Sequence, residues 1–464
     1  MAKQNTMIQD LTTGNVSRKL IRFTLPFLAA NMLQLVYSLV DMVFVGQANG
    51  SVGLSAVSIG SQITMFFTQI GTGLTTGSQV CISHLVGSDR KDRIQPAIGT
   101  TLTFFSMIAL ALMAVGLIFC RPILIAMNTP DEAMNQARAY LLICSAGLFF
   151  IFGYNSLCAI LRGMGDSDRP LIFVGIATIV NIAMDYLLVI VVGIGAAGAA
   201  IATVMGQAVS FFCALCYLYR HREAFGFDFR PRSFILDGEM LIMITKLGIP
   251  LAFQNIAVSF SMIYMNSWIN TCGLAAVAAA GIGSKLSSIM AMFSSAFSAS
   301  CAAMTGQNMG AGRVDRVPRI IYTAWAVCIS VGVFISALFQ IIPVQIFRCF
   351  TSDADVLALA PSFMRVLVVM VMAHSLMAPP IGLVNGVGFT SFNMVVGILD
   401  GVVGRIGFSL FFGYYLGLGL NGYYLGNGLA GFISVICCSA YFFFGNWRDR
   451  VVVSKSQEGE EGHV

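Results

Sequence analysis

Apolar residues run along this chain in long unbroken stretches rather than in alternation. The stretches cover 21–45, 55–84, 97–119, 135–161, 170–192, 196–219, 241–269, 274–306, 317–343, 357–384, 391–415 and 420–445. Each is far longer than a strand and reaches the roughly 20 residues a helix needs to cross bilayer hydrocarbon. Within lipid only a helix or a closed barrel satisfies every backbone polar group, and runs of this length specify helices. The pattern therefore predicts an all-α integral membrane protein with twelve transmembrane helices. The polar interval from Arg220 to Glu239 reads as a linker. It divides the chain into a six-helix lobe at 1–220, a linker at 221–240, a second six-helix lobe at 241–446 and a tail at 447–464.

The halves repeat. Leu25-Pro26 corresponds to Ile249-Pro250, and Ile59-Gly60-Ser61 to Ile282-Gly283-Ser284. Gly87 with Arg90, Asp92 and Arg93 corresponds to Gly310 with Arg313, Asp315 and Arg316. Gly163-Met164-Gly165 corresponds to Gly386-Val387-Gly388, and Gly193-Ile194-Gly195 to Gly417-Leu418-Gly419. An even number of spans per repeat gives both halves one orientation, so the pseudo-axis lies along the membrane normal. Such a parallel repeat places a solute path between the halves.

Composition agrees. Of 464 residues, 57% are hydrophobic and 10% charged, against roughly 25% charged in a soluble domain. Most of the twelve cysteines lie inside apolar runs, where a thiol acts as a small hydrophobe. With the N-terminus inside, nearly all Lys and Arg, from Lys3 to Lys455, fall on the cytoplasmic side, and Arg121, Arg138 and Arg348 fall outside. The positive-inside rule then makes both termini cytoplasmic. The net charge of +5 needs no nucleic-acid partner. Gly193-x-Gly195-x-x-Gly198 has no strand before it and reads as a tight extracellular hairpin. Gly283-Ser284-Lys285 lacks the end of a phosphate loop, so transport would draw on an ion gradient or on the solute's own. The four histidines, His84, His221, His374 and His463, show no ligand spacing, and no metal or cofactor is expected.

Three carboxylates lie inside spans: Asp41, Asp185 and Asp400. A charge at mid-bilayer costs roughly 2.5–3.5 kcal/mol on insertion scales, so such residues are functional or paired. Counting turns from the span ends puts Asp41, Asp185 and Thr203 at one depth in the outer half of the first lobe. Asn181 and Asp185 share a helix face, and Gln34, Tyr37 and Asp41 form a polar stripe along the first span. Burial disfavours charged carboxylates, so this cluster suits a proton acceptor or a hard cation such as Na⁺. The alternative is that the two acids only cap or pair within the bundle. Asp400 has Arg405 five residues on, about 140° around an α-helix and off its face. Lys285 and Arg365 are other basic candidates. Structural charge compensation by Asp400, Arg405 and Lys285 is the favoured reading, with a solute-path role second.

Several strings together resemble the multidrug and toxic compound extrusion (MATE) transporters. They are the first span with Pro26 and Val40-Asp41-Met42-Val43-Phe44-Val45-Gly46-Gln47, Arg162-Gly163-Met164-Gly165-Asp166 with Pro170, Asn181-x-x-x-Asp185, and Gly310-Ala311-Gly312-Arg313. The resemblance implies two lobes in a V around a central cavity, in a functional monomer of the bacterial cytoplasmic membrane. It implies export of small organic, often cationic, compounds in exchange for H⁺, with Na⁺ as the other candidate. In the DinF-like branch the coupling network maps onto Asp41, Asn181, Asp185 and Thr203, with Gln34 and Tyr37 as neighbours and Pro26 as a hinge. The branches that use a glutamate in the seventh helix find none here, where Pro250-Leu-Ala-Phe-Gln254-Asn255 stands and Met265 takes the place of Asp41. A lipid-linked sugar flippase of the same superfamily, or a dedicated metabolite exporter, is the alternative.

Overall fold

Helix follows helix through residues 9–450, the part of the chain that the computed structural model describes; the expectations for Lys3, Lys455 and most of the tail lie outside it. The long helices are α1 (Val16–Gly50), α2 (51–87), α3 (Lys91–Ile118), α4 (Asp131–Gly163), α5 (Asp168–Val191) and α6 (Gly195–Arg220). The second half holds α7 (Gly238–Cys272), α8 (Leu274–Gly310), α9 (Val314–Ile341), α10 (Ala354–Gly386), α11 (Thr390–Tyr415) and α12 (Gly419–Phe444). Eleven of these are long and apolar enough to span a membrane, and α2 is the exception. Its segment Thr-Gln-Ile-Gly-Thr-Gly-Leu-Thr-Thr-Gly-Ser-Gln at 68–79 lowers its hydropathy, because that face lines a polar cavity between the lobes.

Two departures from the sequence reading concern local geometry. The loop expected between the first two spans is absent. The chain passes from α1 to α2 through a break at Gly50, at φ 61° and ψ −149°, a conformation that the missing Cβ permits. The fifth span of each half is not purely α-helical. α5 ends in a π-helical stretch, Tyr186–Val191. α11 contains two, Leu399–Ile406 and Leu410–Tyr415. The second of these sits at the repeat offset from the stretch in α5.

The repeat is visible elsewhere. Pro26 lies inside α1 and Pro250 inside α7. α1 keeps helical torsions through Pro26, with Gly50 as its only non-helical residue. Short helices Cys120–Ala126 and Pro343–Arg348 occupy matching places before α4 and α10. The turns at Gly193, Gly195, Gly417 and Gly419 all take positive φ. One buried apolar cluster lies in the first half with Ala252 added, another lies wholly in the second half, and a third joins the first half to Ile244, Leu247 and Ala302.

The halves meet where α2 ends and α7 begins. A Cβ on Gly73 would run into the backbone of Ala252, and one on Gly77 would lie 2.6 Å from the Gly248 nitrogen. Polar bonds seal the same end. Gln79 Nε2 donates to the Ala299 carbonyl (3.0 Å), Gln307 Nε2 to the Gly163 carbonyl (3.1 Å), and a His84 ring nitrogen lies 2.7 Å from the Gly386 carbonyl. The N-terminal segment is threaded into this seal, with the buried Leu11 amide donating to Gln307 Oε1 at 3.0 Å. Bulk at Gly73 should therefore hold the lobes apart at this end. In Gly73→Leu, spin labels at positions 91 and 315 should show a longer distance than in the parent protein. An unchanged distance distribution in well-folded protein would show that this contact does not set closure.

Candidate functional site

The first lobe brings Asp41 from α1, Asn181 and Asp185 from α5, and Thr203 from α6 to one place, as the depth count anticipates. Asp41 is 6%, Asn181 2% and Asp185 0% exposed. Thr203 donates its hydroxyl to Asp41 Oδ2 at 3.1 Å. The Asp41 carboxyl group neighbours the Asp185 carboxyl group and the Asn181 amide, with no hydrogen bond formed among the three side chains. Two carboxyl groups attract only when one carries a proton or a cation lies between them. Five polar atoms here are buried without a partner: Asp41 Oδ1, both carboxyl oxygens of Asp185 and both amide atoms of Asn181. Buried polar atoms are nearly always satisfied, so such a cluster marks a place for something more. Gly206 lets α6 approach here, since a Cβ on it would lie 3.2 Å from the Asn181 Cβ.

A small cavity of about 10 Å³ adjoins the group, lined by Gln34, Tyr37, Asn181, Thr203 and Gln207 among others. That volume is the scale of one water and too small for an organic solute. Gln207, absent from the sequence reading, donates from Nε2 to the Tyr37 hydroxyl at 3.3 Å. Its spacing of four from Thr203 on one helix face was the available signal.

A second cavity of about 460 Å³ lies between the lobes, at the size of a ligand site. Its walls come from α1, α2, α4 and α5 on one side and α7, α8, α10 and α11 on the other. Gln34 and Val174 line both cavities, so the two touch through the wall that these side chains form. Arg162 also lines the large cavity, whereas the sequence reading placed it among loop charges at the cytoplasmic face. α4 runs to Gly163, and helical side chains tilt toward the N-terminus, so Arg162 leans back into the bundle. The amides Asn155, Asn385 and Asn393 on these walls carried no sequence signal of their own.

Asp400 and Arg405 correct the reading of α11. They do share a face: Arg405 Nε donates to Asp400 Oδ1 at 3.0 Å, and both are buried. The π-helical turn Leu399–Ile406 is the reason, since its repeat is i to i+5. Ser434 donates to Asp400 Oδ2 at 2.9 Å, and Arg405 Nη1 donates to Asn427 Oδ1 at 2.8 Å. Lys285 and Arg365 are exposed and form no ion pair among the described residues. The second lobe thus neutralises its acid internally, and the first lobe does not.

A twelve-helix bundle in two lobes, with a polar cavity between them and an unsatisfied carboxylate pair in one, has the build of a multi-pass membrane carrier. The chain belongs to the MatE family, whose model matches residues 26–187 and again 250–410, the two halves of the internal repeat. The family consists of transporters that need no prosthetic cofactor. A relative from Bacillus subtilis (strain 168), described as probable multidrug resistance protein YoeA, is 30% identical over 369 residues, 77% of this chain and 79% of that one. Another from the same strain, probable multidrug resistance protein YpnP, is 27% identical over 95% of this chain and 97% of its own length. A solved structure described as the outward-facing conformation of a multidrug resistance MATE family transporter superposes with a TM-score of 0.87 at 21% identity, covering 97% of this chain and 98% of that one.

Breaking a buried ion pair from one side leaves an uncompensated charge, at about 3–5 kcal/mol. Asp400→Asn should lower thermal stability of the purified protein by a shift of that order, and Asp400→Leu combined with Arg405→Met should recover most of it. A loss in the double variant equal to the sum of the two single losses would show that the pair carries no net coupling.

Proposed function

We propose that this chain is a secondary-active antiporter that exports small organic compounds in exchange for H⁺, with Na⁺ as the alternative driving ion. The observation that carries the reading is the buried pair Asp41 and Asp185, whose orphan oxygens call for a proton or a cation. Asn181 and Thr203 complete the ion site, Tyr37 and Gln207 brace it, and Gln34 stands between it and the solute cavity. The lobes at 1–220 and 241–446 rock about their contact, with the termini and the 221–240 linker on the cytoplasmic side. Pro26 is the hinge of α1: its ring removes one backbone hydrogen bond from the helix that carries Gln34, Tyr37 and Asp41. Exchange requires that ion and solute favour opposite lobe positions, since a ligand that binds both equally shifts nothing. The descriptions of YoeA and YpnP support a carrier for several organic solutes in a bacterial membrane.

Amides keep the size of the acids but hold no exchangeable charge. Asp41→Asn and Asp185→Asn should each abolish gradient-driven export in vesicles while leaving expression near parental, because no base is left unpaired beside them. Imposing a pH gradient and a Na⁺ gradient separately identifies the driving ion. Full gradient-driven transport by either variant would move the coupling site elsewhere.

A further inference from the structure

The cavity between the lobes carries a charge pattern that the resemblance to cation exporters does not predict. Among the described residues on its walls there is no Asp or Glu; the ionisable groups are Arg162, His374 and Tyr154. The Tyr154 hydroxyl is committed to the Pro170 carbonyl, and His374 Nδ1 to the Met370 carbonyl. Arg162 is the permanently charged group that remains. Its guanidinium stacks over the Phe27 ring at 3.7 Å, its Nε is buried with no partner, and it forms no ion pair among the described residues. One face of the guanidinium is held by the ring while its donor edge is left open. The walls of the same cavity also carry the amides of Asn155, Gln254, Asn255 and Asn385.

From this arrangement we propose that the central cavity binds an organic anion, a carboxylate- or phosphate-bearing solute with further hydrogen-bonding groups, and that Arg162 is its charge anchor. The proposal deepens the exporter reading and rests on it for the direction of transport. A cation entering this space would shed its hydration shell beside a like charge, with only amide and hydroxyl dipoles in return. A carboxylate or phosphate meets a planar fork of donors that suits it better than any other side chain does. The amides, which donate and accept alike, set no sign and can bond the polar remainder of the solute. Gln34 and Val174 line both cavities and so stand between a bound solute and the ion pocket.

The test is equilibrium binding to the purified full chain in nanodiscs without any gradient, so that it stands apart from gradient-driven transport. Carboxyfluorescein serves as the anion and rhodamine 6G as the cation, each followed by fluorescence anisotropy. Carboxyfluorescein should bind at least about tenfold tighter than rhodamine 6G. Arg162→Gln should weaken the anion by about tenfold or more, the scale of a lost hydrogen bond to a charged group, without weakening the cation, and Arg162→Lys should retain part of the affinity. Asn255→Asp, which leaves Arg162 in place, should shift preference toward the cation, so a poorly folded Arg162 variant would not shelter the idea. Farnesyl pyrophosphate as competitor separates a lipid-linked from a water-soluble source. Displacement by it and displacement by citrate each support an anion site. Tighter binding of rhodamine 6G together with an unchanged carboxyfluorescein affinity in Arg162→Gln would overturn the proposal. Anion binding with no gradient-driven export would leave this site standing and sink the antiport reading.

Discussion

A carboxylate sunk in a bilayer has to be neutralised, and the rest of this structure turns on how each lobe does it. The cost of leaving one bare is several kcal/mol, so the fold must supply a partner or leave room for one that comes and goes. In the second lobe the partner is covalently present. A π-helical turn brings Arg405 onto the face of Asp400, and Ser434 and Asn427 satisfy what remains. In the first lobe the acids are two, neither has a basic partner among the described residues, and five polar atoms are left unpaired beside a cavity of about one water. One duplicated scaffold thus carries a closed electrostatic circuit and an open one. Only the open circuit has the means to respond to an ion.

The consequences reach the space between the lobes. α1 presents Asp41 and Tyr37 to the interior of the first lobe and Phe27, Asn31 and Gln34 to the central cavity. α5 carries Asn181 and Asp185 in the cluster and, seven residues before Asn181 on the same face, Val174 at both cavities. A change of charge on the pair therefore acts on the two helices that also form a wall of the solute cavity. The opposite end of the bundle is sealed by backbone approach at Gly73 and Gly77 and by buried amides such as Gln307, which bond across the lobes. Charged contacts lie at the same end, where Arg93 pairs with Glu239 and Arg316 donates to the Thr13 and Gly14 carbonyls.

Much of this was legible in the residues. The helix order follows from the apolar runs, and the internal repeat from glycines and prolines at one offset. The clustering of Asp41, Asp185 and Thr203 follows from counting turns, and that of Asn181 from its place four residues before Asp185. What escaped did so for definable reasons. Asp400 and Arg405 were grouped as structural charge, but their direct contact was masked because an α-helical wheel separates residues five apart, and no local signal announces a π-turn. Arg162 was hidden by its position at a helix end, where sequence alone cannot say whether a long side chain leans outward to water or back into the bundle. The cavity amides looked like ordinary span residues because their meaning lies in convergence from six helices. The loop expected near residue 50 was lost to a single glycine kink.

The central claim is that the pair in the first lobe is the ion site. Its most direct test is the thermal stability of the purified, solute-free protein as pH is lowered from 8 to 5.5 and, separately, as Na⁺ is raised at constant ionic strength. An ion that binds the folded state stabilises it in proportion to the logarithm of its concentration above the dissociation constant. The account predicts that one of the two titrations raises the melting temperature of the parent chain, and that the response is flat in the double variant Asp41→Asn/Asp185→Asn. A double variant that still responds as the parent does would contradict it.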